Sequence, residues 1–413
     1  MTVLNKISNI CISFAILSSL LITDVQAKVK LDENNWNPTT KIRLEKLLNS
    51  PENINKNKKV VFDLDDTTLS GGIGSVVYGY FIKNNMIKKE NLESISPSFT
   101  LDGEKVSIQT TPISKYYDKI YSITKGYNQF DPTNAYAWNT QSLVGLNVSD
   151  VVNATKEVFK NNIASQDRAK NTETKFVVDG QNYTIPYFHP ETVDLIGNLL
   201  TNGYDVYIVS GSSIWSIRYL ISVELKKLLE EKFGKGVEIK PENLYGMSTL
   251  IKDKRDGKIF IDSLLVKEKS KRAELYKNLD MNELSNYEIT SVLAHPISGY
   301  EGKTAVILKY IVKDSIIKEL FMSAGDSPND HSMLSFSQNK LWFARLDRPD
   351  YQEETFRRFK DDRNTWFIQP TFSKAPRGFL KDENQIKSLL KDENLKKTLD
   401  VYNKFKNEWK AFQ

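Results

Sequence analysis

A chain of 413 residues is long enough to bury a large core and to hold more than one structural unit. Its content of 40% apolar and 26% charged residues is ordinary for a soluble globular protein. The formal net charge of +5 suits anionic small molecules, but no long Lys/Arg run is present, which argues against a nucleic-acid partner.

In chain order, the first segment has the layout of an export signal. Lys6 precedes an apolar stretch from Ile10 to Ile22 that is too short for a membrane span, and Val25-Gln26-Ala27 supplies a cleavage site after Ala27. No later stretch is long and apolar enough to cross a bilayer. The single cysteine, Cys11, falls inside the signal, so the exported chain needs no disulfide. The expectation is a protein delivered to the periplasm or secreted.

Lys59 to Leu64 reads as the first buried strand, and it delivers Asp63 and Asp65 together with the hydroxyl of Thr67 at its C-terminal end. Two acids and a hydroxyl packed this tightly make a poor core. They suit a hard cation and a phosphoryl group, with one carboxylate acting as nucleophile and the other moving a proton. Residues 71–185 then interrupt the strand–helix alternation. They are rich in Tyr, Asn, Lys and Ser, with helical pieces near Tyr78–Asn84, Ile113–Thr124 and Val148–Asn161, and their length favours a separate lid over a loop.

Pro190-Glu191-Thr192 opens a helix with apolar positions Val193, Ile196, Leu199 and Leu200, ended by Gly203. A second strand, Asp205 to Val209, leads through Ser210-Gly211-Ser212-Ser213 into a long amphipathic helix, Ile214 to Phe233. Ser210 and the following N–H groups either bind an anion at that helix N-terminus or simply cap it. Lys303, after Gly302 at the start of a helix reaching Ile311, either neutralises phosphate or lies on the surface. Leu320 to Ala324 is a short strand followed by Gly325-Asp326-Ser327-Pro328-Asn329-Asp330, where Asp326 and Asp330 add two oxygen donors for a metal. Leu341–Ala344 and Trp366–Ile368 are further strands, and the Lys-rich tail from Lys381 to Lys410, interleaved with acids, reads as a solvated amphipathic helix. The alternation predicts an α/β fold with a parallel sheet, and the four segments fall in order at its C-terminal edge, where such folds bind ligands.

Asp63-x-Asp65-x-Thr67 followed by Gly325-Asp326-x-x-x-Asp330 resembles the haloacid dehalogenase-like hydrolase superfamily, in its phosphoserine phosphatase-like branch. More narrowly, Asn35-Trp36-Asn37-Pro38, Lys240 to Gly246 and Gly302 to Leu308 are similar to stretches of secreted bacterial phosphorylcholine phosphatases. The resemblance implies a Rossmann-like parallel sheet core (residues 28–70 and 186–413) with an inserted, mainly helical C1-type cap (71–185) after the signal (1–27). It implies a Mg²⁺-dependent phosphomonoesterase, another divalent cation being admissible, acting on small alcohol phosphates through an aspartyl-phosphate. Asp63 is then the nucleophile, Asp65 the acid and base, and Thr67 an orienting residue of the nucleophile loop. Ser210, Gly211 and Lys303 bind the phosphoryl group. Asp63, the backbone carbonyl of Asp65, Asp326 and Asp330 serve the metal.

Two other functions stay open: a phosphotransferase using the same intermediate, and an exported binding or host-interaction protein without turnover. The intact Asp63, Asp65, Lys303 and Asp326 argue against the second. In the lid, acids are scarce where the phosphorylcholine enzymes carry them. Gly71-Gly72-Ile73-Gly74-Ser75 and Ser122 to Asn128 contain none, and Asp118 and Asp131 are the nearest. Tyr78, Tyr80, Tyr116, Tyr117, Tyr121, Tyr127, Tyr136 and Trp138 form either a cation–π cage or the lid's own core. His331, beside Asp330, is expected on a helix surface or as a support to the metal site, and His189 and His295, each before a proline, as turn residues.

Overall fold

The computed structural model describes residues 28–53, 58–125, 134–162, 174–266, 275–276, 279–313, 320–362, 365–389 and 392–412. The export signal with Cys11, and also Tyr127 and Asp131, lie outside the described residues. No helix among the described residues is long and apolar enough to cross a membrane.

Seven strands form the main sheet: β1 (Lys59–Phe62), β2 (Asp205–Ser213), β3 (Leu244–Met247), β4 (Leu320–Gly325), β5 (Ser337–Arg345), β6 (Trp366–Phe372) and β7 (Gly378–Phe379). Their order is β7-β6-β5-β4-β1-β2-β3. β1 is central and parallel to both neighbours, with Phe62 opposite Ala324 of β4 and Ile208 of β2. Only β7 runs antiparallel, against β6. Val60, Val61 and Phe62 are all fully buried, as a strand covered on both faces requires. From β1 the chain builds outward to β2 and β3, then returns to the other side for β4, β5 and β6. The strand order therefore reverses between β1 and β4, and a crevice opens beyond their C-terminal ends.

β2 runs further than the sequence suggests. It stays extended to Ser213, which pairs with Met247 across a register shift. The following helix, Ile214–Tyr219, continues through a π-helical stretch, Leu220–Leu225, into Lys226–Phe233. Its N-cap is Ser213, so Ser210 lies inside the strand and does not cap the helix.

Residues 71–185 lie outside the main sheet. The segments that lead into and out of them, Leu69–Ser70 and Tyr187–Phe188, pair antiparallel. Between these stand the helices Ile73–Lys83, Ile113–Lys125 and Val148–Phe159, as their sequence pattern suggests, and a further helix, Asn134–Gln141, and two hairpins that it does not. Both hairpins turn on an Asp-Gly pair with positive φ at each residue, Asp102-Gly103 and Asp179-Gly180. That is the conformation of the tight two-residue turn, which Asp and Gly tolerate. A three-stranded sheet (Thr249–Asp253, Ile259–Ile261, Tyr287–Leu293) is also unanticipated, and it touches the inserted segment through the bridge between Asn147 and Glu288. The Lys-rich tail forms helices Glu383–Leu389 and Asp392–Phe412, which bury Phe405, Trp409 and Phe412 against Trp342, Phe356 and Trp366.

Candidate active site

Asp63 is the first residue beyond β1, and its N–H donates to Ala324 O (2.9 Å), so the ladder to β4 fixes where its carboxylate begins. The chain then turns sharply. Thr68 N–H and Leu69 N–H both donate to Leu64 O, Thr68 Oγ1 donates to Asp63 O (2.7 Å), and Asp66 takes a positive φ of 54°. The turn sends the two catalytic candidates in different directions. Asp63 faces the end of β4. Asp65 accepts Ile73 N–H on Oδ1 (2.8 Å) and the Ser212 hydroxyl on Oδ2 (2.6 Å).

On the other side of the crevice, Gly325 ends β4. A Cβ there would lie 2.5 Å from Asp330 Cβ, so only glycine lets the two aspartates close on each other. Asp330 Oδ2 accepts Asp326 N–H (3.0 Å) and Ser327 N–H (3.1 Å). Gly325→Ala is expected to cost about 1–3 kcal/mol as overpacking. Urea unfolding measures this, and an unchanged midpoint would contradict the close packing.

Lys303 stands in the helix Glu301–Val306 and is fully buried. Its Nζ donates to Asp63 Oδ1 (2.7 Å) and Asp330 Oδ1 (2.6 Å). The preceding Gly302 makes this approach possible, since a Cβ there would sit 1.9 Å from Ile297 O. The surface reading of Lys303 is thereby ruled out.

Asp63, Asp326 and Asp330 each offer an oxygen within 4.8 Å of the others, and all three are buried. Burial pushes the Asp63 carboxyl well above its usual range; Lys303 opposes this, and Asp330, Asp326 and Asp65 add to it. Burial likewise raises Asp326 to about 8, against the pull of Arg345 and with the push of Asp330 and Asp66. Burial alone would lower Lys303, but Asp330 and Asp63 hold it above its ordinary value. Crowded carboxylates forced toward protonation, with only oxygen donors among them, fit a hard divalent cation such as Mg²⁺. The Asp65 carboxylate is not among them, because Ile73 and Ser212 hold it aside. Burial raises it to about 6, against the bonds from Ser212 and Ile73.

The other anticipated residues are also at the crevice. Ser210 and Gly211 line it beside Asp63. Ser210 Oγ accepts Ser212 N–H (3.1 Å), and Ser298 Oγ donates to Ser210 O (2.6 Å), so the bend is held from both sides. Thr67 is buried, with Oγ1 3.3 Å from Asp326 Oδ1. His331 is neither a surface residue nor turned to the cluster of Asp63, Asp326 and Asp330. It is buried against Trp342 and Phe359 with Nε2 on Thr355 Oγ1 (2.9 Å), and burial pushes it down to about 3, so it is neutral. His189, as expected, stands at a turn and N-caps the helix Pro190–Thr201.

The sequence reading missed Asp66, Ser212, Asn329 and Arg345. Arg345 ends β5 and bridges Asp66 and Asp326. Asn329 accepts Tyr300 N–H (2.6 Å), tying the loop after β4 to the turn before Lys303. A charged residue closing an apolar strand, as in Phe343-Ala344-Arg345, was the available signal.

The crevice opens into a cavity of about 750 Å³ whose far wall comes from residues 71–185. Most of the aromatics proposed as a cage form that segment's own core: Tyr78, Tyr116 and Trp138 are buried, and Tyr117 stacks on Trp138. Tyr117 also reaches the cavity, and Tyr121 and Tyr136 line it with rings 5.9 Å apart at 84° and hydroxyls 3.4 Å apart, with Asp118 on the same wall.

No family profile matches the chain. It is 22% identical over 312 residues to a phosphorylcholine phosphatase of Pseudomonas aeruginosa, covering 73% of this chain and 78% of that one. Among solved structures, a conserved protein of unknown function from Anaerococcus prevotii overlays with a TM-score of 0.52 and 19% identity, covering 86% of this chain and 98% of that one. A substrate-bound phosphoserine phosphatase overlays at a TM-score of 0.35 and 15% identity, over 72% and 90% of the two chains.

Proposed function

We propose that this chain, which has the fold and ordered motifs of the haloacid dehalogenase-like hydrolases in their phosphoserine phosphatase-like branch, is a Mg²⁺-dependent phosphomonoesterase acting on small alcohol phosphates. The observation that carries the reading is the meeting of Asp63, Asp65, Lys303, Asp326 and Asp330 at one crevice where the strand order reverses. Phosphoryl transfer asks mainly for positioning and charge neutralisation, and this set supplies both.

In this reading an Asp63 carboxylate oxygen attacks phosphorus as the bond to the alcohol oxygen breaks. Asp65, with a carboxyl near pH 6, gives its proton to the departing alkoxide. A water then attacks the aspartyl-phosphate, Asp65 takes the water's proton, and inorganic phosphate leaves with Asp63 restored. The Ser212 hydroxyl and Ile73 N–H fix the Asp65 carboxylate at the cavity wall. An ammonium has three donors. Lys303 spends two on Asp63 and Asp330, which leaves one for a phosphoryl oxygen. Ser210 and the Gly211 backbone lie at the same wall for the remaining oxygens. Asp63, the Asp65 carbonyl and Asp326 would hold the cation, which when bound neutralises phosphoryl charge. Asp330 supports that shell, with Oδ1 on Lys303 and Oδ2 on Asp326 N–H, and Thr67 braces Asp326.

The name of the Pseudomonas relative points to phosphorylcholine as a substrate, and the smaller phosphorylethanolamine is proposed beside it. Tyr121, Tyr136 and Asp118 are the groups that would meet such a head group. A phosphate-release panel of phosphomonoesters, with Mg²⁺ and with chelator, tests the reading. Release of free phosphate from small alcohol phosphates that stops with chelator is expected. Absence of release from every ester, or release indifferent to chelator, would refute it.

A further inference from the structure

Arg345 has no role in the chemistry above, yet it lies outside the four motifs and is bonded directly to Asp326 of the acidic cluster. Its Nη1 donates to Asp326 Oδ2 (2.9 Å) and to Asp66 Oδ2 (2.8 Å). Its Nη2 donates to Ser373 Oγ (2.9 Å) and lies 3.7 Å from Asp347 Oδ2. These partners come from the nucleophile loop, the end of β4 and the loops after β5 and β6, so the guanidinium is held from several directions. It is permanently charged and its planar donor array is rigid, so it stays in place across any working pH.

We propose that Arg345 selects the cation: by occupying Oδ2 of Asp326 it limits that carboxylate to one ligand oxygen, which favours Mg²⁺ over Ca²⁺. This rests on the metal reading of the proposed function. Mg²⁺ demands near-ideal octahedral geometry at short distances, whereas Ca²⁺ takes six to eight oxygens and readily accepts both oxygens of one carboxylate. The neighbouring carboxylates are restricted in the same way. Lys303 holds Asp63 Oδ1 and Asp330 Oδ1, and the N–H groups of Asp326 and Ser327 hold Asp330 Oδ2. Asp326 is the member whose second oxygen is withheld by a residue outside the phosphate-binding set. Among the described residues its Oδ1 meets only the long contact from Thr67 Oγ1, at 3.3 Å. Freed from Arg345, Asp326 offers two oxygens to a larger ion. Removal of a positive charge also strengthens binding of every divalent cation, but that effect is common to both ions and cancels in their ratio.

The test is calorimetric titration of the full chain with Mg²⁺ and with Ca²⁺, on the wild type and on Arg345→Ala. The ratio of the Ca²⁺ to the Mg²⁺ dissociation constant is expected to fall at least fivefold in the variant. A smaller fall, no change or a rise overturns the proposal, whatever happens to the two affinities together. If the variant does not fold, crystals of the wild-type protein grown with Ca²⁺ decide. Asp326 bound through one oxygen with Arg345 still on the other is expected, and a bidentate Asp326 with Arg345 displaced overturns it. Wild-type protein that binds neither ion would sink the metal reading itself; binding with an unchanged ratio sinks only the role of Arg345.

Discussion

Asp63→Asn is expected to lower turnover by on the order of 10⁴-fold or more, the loss seen when an enzyme's covalent nucleophile is removed. The amide keeps the size and one oxygen of the carboxylate but carries no charge to attack phosphorus. Its effect on the fold is expected to be small. Asp63 is one of three carboxylates crowded within 4.8 Å, and burial already drives its carboxyl toward the neutral form. Lys303 keeps its bond to Asp330 at 2.6 Å, so it is not left unpaired. The urea midpoint of the metal-free variant should therefore match or exceed that of the wild type. Steady-state phosphate release and intact-mass detection of a phosphorylated enzyme check the assignment. Residual activity above about one per cent with a trapped phospho-enzyme would remove Asp63 from the role, because a hundredfold loss is only about 2.7 kcal/mol of barrier.

Much of the site is legible in the sequence because its motifs are local. The apolar run Val60 to Phe62 ending in an acid pair, and a Gly-Asp turn after Leu320 to Ala324, each carry strand, turn and ligand within a few residues. Lys303 was legible only as two alternatives. The partners that bury it are 240 and 27 positions away, and no local pattern announces them. Arg345 was missed for the same reason, since Asp66 lies 279 positions earlier in the chain. Ser210 was misplaced because a bulged strand and a helix N-terminus present the same small polar residues, and only the pairing of Ser213 with Met247 separates them. The two hairpins of the inserted segment are different. Asp102-Gly103 and Asp179-Gly180 were local signals that the surrounding Tyr- and Lys-rich composition obscured. His331 follows Asp330, yet the helix it begins turns it into the Trp342 and Phe359 core and onto Thr355, partners that no local pattern announces.

Lys303→Met is expected to show how far the crevice depends on one cation, and the sign of its pH dependence is diagnostic. The wild-type ammonium is fully buried between Asp63 and Asp330. Removing one partner of such a cluster leaves uncompensated buried charge, and breaking buried pairs costs about 3–5 kcal/mol. Lys303 is the main influence holding the Asp63 carboxyl down, so without it that carboxyl rises further above its unfolded value. A carboxyl whose folded pKa is raised binds its proton more readily in the native state. Stability is then present below the unfolded value and is lost as pH rises through the folded one. The ammonium itself has a folded pKa above its usual value, so its own contribution is constant from pH 5 to pH 8. The deficit of the variant, read as the difference in urea midpoint from the wild type in chelator, should accordingly be largest at pH 8 and shrink toward pH 5 as the carboxylates take up protons. Added Mg²⁺ should recover part of it at pH 8, since a ligand that binds only the folded chain stabilises it by mass action. A deficit equal at both pH values, or larger at pH 5, would mean that Lys303 contributes through packing and not as the counter-charge of the acidic cluster.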